Sequence, residues 1–459
     1  MKLPESPPTL EAAFAADPEK AARLYRRLLA DPVQAWDARG RYLHWEKLRH
    51  LQPPPELTSE EHWLATKLAR RNIAKRLPLL DKQGEPLRYC LPDAALEYIL
   101  WISEQAAGTV GGDPRITDPK TQRTYLINSL IEEAISSSQL EGAATSRRVA
   151  KEMIRTGRKP RDKSEQMVLN NYHAMRFILD HVDDALTPSM VFELHRILVQ
   201  GTLEAGYESR AGVVRAPEDD IVVSWEEAVL HVPPPVAELD DRLARLCHFV
   251  NGDLDTGHQF FPPVVRAVVA HFMIGYDHPF FDGNGRVARA LFYWVMAQSG
   301  FWLMEYTSIS RVIKASQISY LKAYLYTESD DNDLTYFILH QLAVVRQAIE
   351  DLHNYLARKA RELRDTERAL QRSGLKGKLN YRQLALLKNA LDNPGAQYTF
   401  ASHRTSHGIS YQSARTDLLE LSDEFGVLRK LKEGKKMVFV APNNLPDLIR
   451  RYRRAGRGS

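Results

Sequence analysis

Cysteine is almost absent from this chain of 459 residues. Only Cys90 and Cys247 occur, too few for a disulfide framework, and neither stands in a metal-binding spacing. Both are expected to pack as small apolar side chains. The N-terminus, Met1-Lys2-Leu3-Pro4-Glu5-Ser6-Pro7-Pro8, lacks the apolar run of a signal peptide. No window offers the roughly 18 uncharged apolar residues that a membrane span requires, so no membrane partner is expected. Internal repeats and low-complexity segments are also missing. These absences leave a soluble protein of a reducing, cytoplasmic compartment as the expectation.

Net charge is small at +4, and its distribution carries more than its sum. From Gln371 to Ser459 there are 17 Lys/Arg against 7 Asp/Glu, while the remainder is acidic. An anionic partner such as nucleic acid fits that end, and so does a solvated basic surface with a frayed tail. The hydrophobic content of 44% suffices for large cores.

Helical signals dominate the chain. Thr58-x-x-Glu61 is a capping box opening a helix to about Lys75. Leu96–Glu104 looks helical, and Gly108–Asp113 reads as a loop. Apolar spacing predicts helices at 124–138, 146–157, 164–183, 187–200, 239–251, 263–276, 285–298 and 333–364. Arg210–Val232 breaks the pattern and reads as a short hairpin before Pro233-Pro234-Pro235. Lys359–Lys378 is charged and contains a linker. Beyond it, helices at 381–391, 399–407 and 410–425 precede strands at 429–431 and 437–440, turning at Glu433-Gly434.

One stretch concentrates chemistry: His278-Pro279-Phe280-Phe281-Asp282-Gly283-Asn284-Gly285-Arg286-Val287-Ala288-Arg289. Glycines let backbone N–H groups approach a phosphate, and a helix starting there adds its positive end. Arg286 and Arg289 stand i,i+3 in its first turn, able to reach one side. Asp282 is a hard oxygen ligand of the kind Mg²⁺ accepts. His278 has the unperturbed pKa suited to proton transfer near neutrality. His271, seven residues earlier, is expected to be a packing histidine rather than a second metal ligand.

The stretch resembles the core motif of the Fic (Fido) family, His-Pro-Phe-x-Asp/Glu-Gly-Asn-Gly-Arg-x-x-Arg, and matches every specified position. Most members transfer AMP from ATP to a protein hydroxyl. The resemblance implies His278 as base, Asp282 holding Mg²⁺, and Gly283, Asn284 and Gly285 around the α-phosphate. Arg286 would bind the β-phosphate side and Arg289 the γ-phosphate. Arg210–Val232 matches the family's flap, with Ile221, Val222 and Val223 as the edge that pairs with a target's backbone. Ser136-Ser137-Ser138-Gln139-Leu140-Glu141-Gly142 resembles the Ser/Thr-x-x-x-Glu-Gly/Asn element of self-inhibited members. Ser137 and Glu141 share a helix face, and Glu141 would hold Arg289 through both guanidinium prongs.

The fold expected is mainly α: an all-helical Fic core with a small β-hairpin flap, plus a C-terminal winged helix-turn-helix domain. The domains are an N-terminal helical region (1–115), the inhibitory-helix region (116–185), the catalytic core (186–342), a charged helix and linker (343–378), the winged-helix-like segment (379–445) and a basic tail (446–459). The winged segment resembles those of bacterial regulators. Tyr411, Gln412, Ser413 and Arg415 open its third helix and can meet DNA, with Lys430, Lys432, Lys435 and Lys436 flanking the wing. The reaction expected is AMP transfer to a Ser, Thr or Tyr of a protein target or of the chain itself. A DNA-binding regulator sensing nucleotide, another nucleotide donor, and AMP removal stay open, as does a homodimer.

Overall fold

The computed structural model describes residues 3–30, 32–107, 119–255, 260–372, 375, 377–433 and 436–449. The glycine loop expected at 108–113, the wing turn at 434–435 and the tail from 450 onward lie outside the described residues. The chain divides into two compact units, Met1–Leu352 and His353–Ser459.

In the first unit, α1 (Ser59–Ile73) opens on its capping box: Glu61 N donates to Thr58 Oγ1, and Thr58 N donates to Glu61 Oε2. It gives way to an antiparallel hairpin of β1 (Lys75–Leu80) and β2 (Pro86–Tyr89). Helices α2 (Asp93–Ala106), α3 (Pro119–Leu140), α4 (Lys163–Asp180) and α5 (Pro188–Val199) follow. The hairpin expected as the flap is β3 (Val223–Trp225) paired with β4 (Ala228–His231). Then come α6 (Leu239–Asn251), α7 (Pro263–Asp277), α8 (Asn284–Gln298), α9 (Ile309–Ala315), α10 (Gln317–Ser329) and the long α11 (Thr335–Arg372), whose residues from His353 onward belong to the second unit.

Helices α7 and α8 form the centre of this unit, packed on each other. Every side chain from Val264 to Ile274 is buried. A helix that is apolar on all sides belongs inside a core rather than on its surface. Helix α8 is buried from Arg286 to Met296, so its two arginines need internal partners. Helix α3 lies against α4 and α9, and α8 touches α4 and α5.

The second unit has α12 (Tyr381–Asp392), α13 (Phe400–His407) and α14 (Tyr411–Leu419), followed by one π turn, Glu420–Glu424. A sheet of β5 (Gln397–Tyr398), β6 (Arg429–Glu433) and β7 (Lys436–Val440) runs in the order β5-β7-β6. Strand β5 is too short for any alternation to announce it. Leu386, Leu387, Leu418, Leu421, Val427 and Phe439 fill the core. Asp417 ties the helices together, accepting from Asn380 Nδ2 at 2.7 Å, Arg382 Nε at 2.8 Å and His403 Nε2 at 3.0 Å.

Candidate functional site

The loop 278–283 joins the two central helices, so both ends of it are fixed. His278 caps α7 in the left-handed region, at φ 47° and ψ 54°. An L-residue in that region carries strain of about 1–3 kcal/mol. Helix runs through Asp277, one residue further than Pro279 suggested, because His278 N still donates to Ile274 O at 3.1 Å. Phe280 is fully buried and lies flat against the His195 ring, centroids 3.8 Å apart. Burying such a ring contributes about 1.5–3 kcal/mol and fastens the loop to α5. Asn284 closes the turn: its Oδ1 accepts from Phe280 N at 2.9 Å, and its Nδ2 donates to Phe280 O at 2.7 Å. The Asn284 side chain is therefore a brace for the loop. Gly283, at φ 87°, leads into α8, and a Cβ there would lie 2.9 Å from Val199 Cγ1.

The first intrahelical bond of α8 is Val287 N to Gly283 O. The N–H groups of Asn284, Gly285 and Arg286 precede it, at the positive end of the helix. The Glu141 carboxylate is seated on this turn. A Cβ at Gly285 would come 2.5 Å from Glu141 Oε1, so glycine is what admits it. Arg289 Nη2 donates to Oε1 at 2.7 Å. Arg289 also donates from Nε to Ser137 Oγ at 3.0 Å and from Nη2 to Ser137 O at 3.1 Å. The Glu141 contact is thus single-pronged rather than two-pronged, because Ser137 takes the Nε edge. Burial works against the charge of Arg289. Glu141, with Tyr320 and Glu133 nearby, outweighs it and holds the guanidinium above its ordinary range.

The two arginines do not reach one side. Arg286, only 1% exposed, turns inward: Nη1 donates to Leu198 O at 2.8 Å and Nη2 to Asp282 Oδ2 at 3.2 Å. The carbonyl at the end of α5 draws it there, so it braces Asp282. Asp282 itself stays about half exposed, with Oδ1 accepting from Gly283 N at 2.6 Å.

His278 Nδ1 faces Gly275 O at 3.2 Å and donates to it, which leaves Nε2 with the lone pair. Burial lowers its pKa to about 4, so the ring is neutral near pH 7 and able to accept a proton. His271 is a packing residue: fully buried, its Nε2 meets Tyr320 OH at 2.8 Å. Among the described residues no cluster of three His, Cys, Asp or Glu could hold a metal ion.

The flap begins later than its sequence suggested. Val223 pairs with His231, whereas Ile221 and Val222 lie before the strand. Val222 and Val229 are exposed. In the second unit Tyr411, Gln412 and Arg415 are exposed on α14, while Ser413 is spent on its cap with Ser410. Lys430 pairs with Asp423 at 2.5 Å and Lys432 is exposed; Lys435 lies outside the described residues.

Residues 185–296, spanning α5 through most of α8, match the family model described as "Fic/DOC family". The chain carries a Fic/DOC domain. It is 34% identical over 71 residues to "Protein adenylyltransferase Fic" of Drosophila grimshawi, 16% of this chain and 14% of that one. To the protein of the same name from Nematostella vectensis it is 27% identical over 137 residues, 29% of each chain. The chain thus spans under a third of the length of these curated relatives. The crystal structure of a Fic family protein from Desulfovibrio desulfuricans G20 superposes with a TM-score of 0.50 at 17% identity. It covers 76% of this chain and 96% of that one, a likeness of fold.

Several supports of this Fic domain escaped the sequence reading. His195 accepts from Gly212 N through Nδ1 and donates from Nε2 to Asp282 O, both at 2.9 Å. Glu133, buried on α3, accepts from Tyr293 OH, Ser308 Oγ and Ser310 Oγ, which fixes α3 in place. Arg242 pairs with Asp277 and donates to the carbonyls of Leu80 and Asp81, so the β1–β2 hairpin grips the end of α7. Only its i,i+4 and i,i+8 spacing to Ser137 and Glu141 could have singled out Glu133. The others carry no local signature.

Proposed function

We propose that this chain is a protein adenylyltransferase that moves AMP from ATP to a Ser, Thr or Tyr hydroxyl of a protein, itself included, and that Glu141 holds it off. What carries the reading is the carboxylate seated on the first turn of α8 against buried Arg289. A helix N-terminus and a guanidinium make an anion site, and here the chain's own carboxylate fills it. Such a site suits the phosphate tail of a nucleotide, and the two anions compete for it.

His278 Nε2 takes the proton of the incoming hydroxyl. That oxygen attacks the α-phosphorus in line, the bond to the bridging oxygen breaks, and pyrophosphate leaves. The N–H groups of α8 meet charge on the α-phosphate oxygens. Arg289, released by Glu141, receives the γ-phosphate. Arg286 serves through Asp282, which it orients. A single half-exposed carboxylate fits Mg²⁺, which is commonly held by one or two carboxylates together with substrate phosphates. Asp282 would hold it, and the ion would screen phosphate charge. A target strand pairs with the flap at Val223–Trp225.

We also propose that the second unit contacts DNA. Exposed Tyr411, Gln412 and Arg415 at the start of α14, in a region with a surplus of basic residues, support this reading.

Titration calorimetry with ATP and Mg²⁺ tests the anion site. Glu141→Gly should bind at least about tenfold tighter than wild type, the return from losing one charge-assisted competitor worth about 1.5–3 kcal/mol. Equal affinities would refute the competition.

A further inference from the structure

Two flap residues reach beneath the reacting loop. Arg215, 7% exposed, stands at the flap's entrance. Its backbone N–H donates to Pro279 O at 2.8 Å, its Nε to His278 O at 2.9 Å, and its Nη2 to Pro234 O at the flap's exit at 2.6 Å. His231, on β4, sets Nε2 against Tyr276 O at 2.6 Å and Nδ1 against Glu328 at 2.6 Å. The carbonyls of residues 276, 278 and 279 are all engaged from the flap.

These contacts answer a local conflict. His278 sits in the left-handed region, and it also precedes a proline, a position that favours extended backbone. Both preferences oppose the observed conformation, so neighbours must impose it. The backbone at His278 sets where Nε2 points, since Nδ1 is committed to Gly275 O. The guanidinium holds His278 O and the flap exit at once. A planar fork suits that double reach, which an ammonium lacks.

We propose that Arg215 is a positioning residue for the transfer step, clamping His278 in its left-handed setting and making the flap and the reacting loop one mechanical piece. The proposal rests on His278 acting as the base. It assigns Arg215 no contact with nucleotide.

The test uses the full chain carrying Glu141→Gly, with and without Arg215→Ala. Auto-modification is followed as AMP incorporated at varied ATP, ATP affinity by calorimetry, and backbone exchange over 274–282 by deuterium uptake. Arg215→Ala should lower the maximal rate about 100-fold, the usual cost of a small misplacement, and change ATP affinity less than about threefold. Added guanidinium ion should restore about tenfold or more of the lost rate. Arg215→Lys should stay impaired. Uptake over 274–282 should rise in Arg215→Ala but not in Val229→Ala, a change on the exposed flap surface. A maximal rate within about threefold of the parent, rate and ATP affinity lost together, or unchanged uptake would each overturn the clamp. Uptake reads the clamp without chemistry. A parent that transfers nothing, with the uptake difference present, would sink the transferase reading and leave the clamp supported.

Discussion

Removing the Glu141 carboxylate should make the protein less stable and more active at once. Breaking a fully buried ion pair costs about 3–5 kcal/mol because the surviving charge is left unpaired. Here Glu141 keeps 29% of its side chain exposed, and two Ser137 contacts to Arg289 remain. The expected cost is therefore about 1–3 kcal/mol, a drop of a few degrees in Tm for a unit of this size. Phosphate should take the vacated place. ATP with Mg²⁺ at about 100 times its Kd adds about 2.7 kcal/mol, enough to return the variant to the wild-type Tm. Thermal unfolding of wild type, Glu141→Gln and Glu141→Gly, with and without ATP, reads both effects. Glu141→Gln should fall between, since it keeps the shape and loses the charge. A Glu141→Gly Tm equal to or above wild type, with equal ATP shifts in both proteins, would refute the role given to this carboxylate.

Three other outcomes are expected. His278→Ala in the Glu141→Gly protein should lose AMP incorporation while calorimetry finds ATP affinity within about threefold, since the ring meets the hydroxyl rather than the phosphates. Burial lowers His44, His195, His278 and His340 each to about 4. The unfolded chain, near 6.5, binds these protons first, so their stability is complete above about pH 6.5 and lost as pH falls towards 4. Urea midpoints of the first unit should follow that window, and the proposed transfer should show no acid limb near 6.5. Finally, Arg415→Ala should weaken DNA binding in fluorescence anisotropy and lower its salt slope by about one if it meets a phosphate; an unchanged slope and affinity would remove it from the interface.

Much of the site was legible because its parts lie close in sequence. Helix starts at Thr58, Pro188 and Pro263 are local features, and local chemistry decided them. The link from Glu141 to Arg289 spans 148 residues, and it was reached through family resemblance rather than spacing. What stayed hidden is non-local. The inward turn of Arg286 depends on the Leu198 carbonyl, 88 residues away. The hairpin at 75–89 has short strands broken by Pro78, and its task, gripping the end of α7 through Arg242, exists only in three dimensions. Arg215 carries no signature of its own within 210–232, and its bond to His278 O exists only in the folded chain.

Intact mass of the Glu141→Gly protein incubated with ATP and Mg²⁺ tests the central claim most directly. That protein should gain about 329 Da per transferred AMP, with little or no gain in wild type and none when His278→Ala is added. A Glu141→Gly protein that gains no mass with any nucleoside triphosphate, or a wild type that gains it equally fast, would contradict the account.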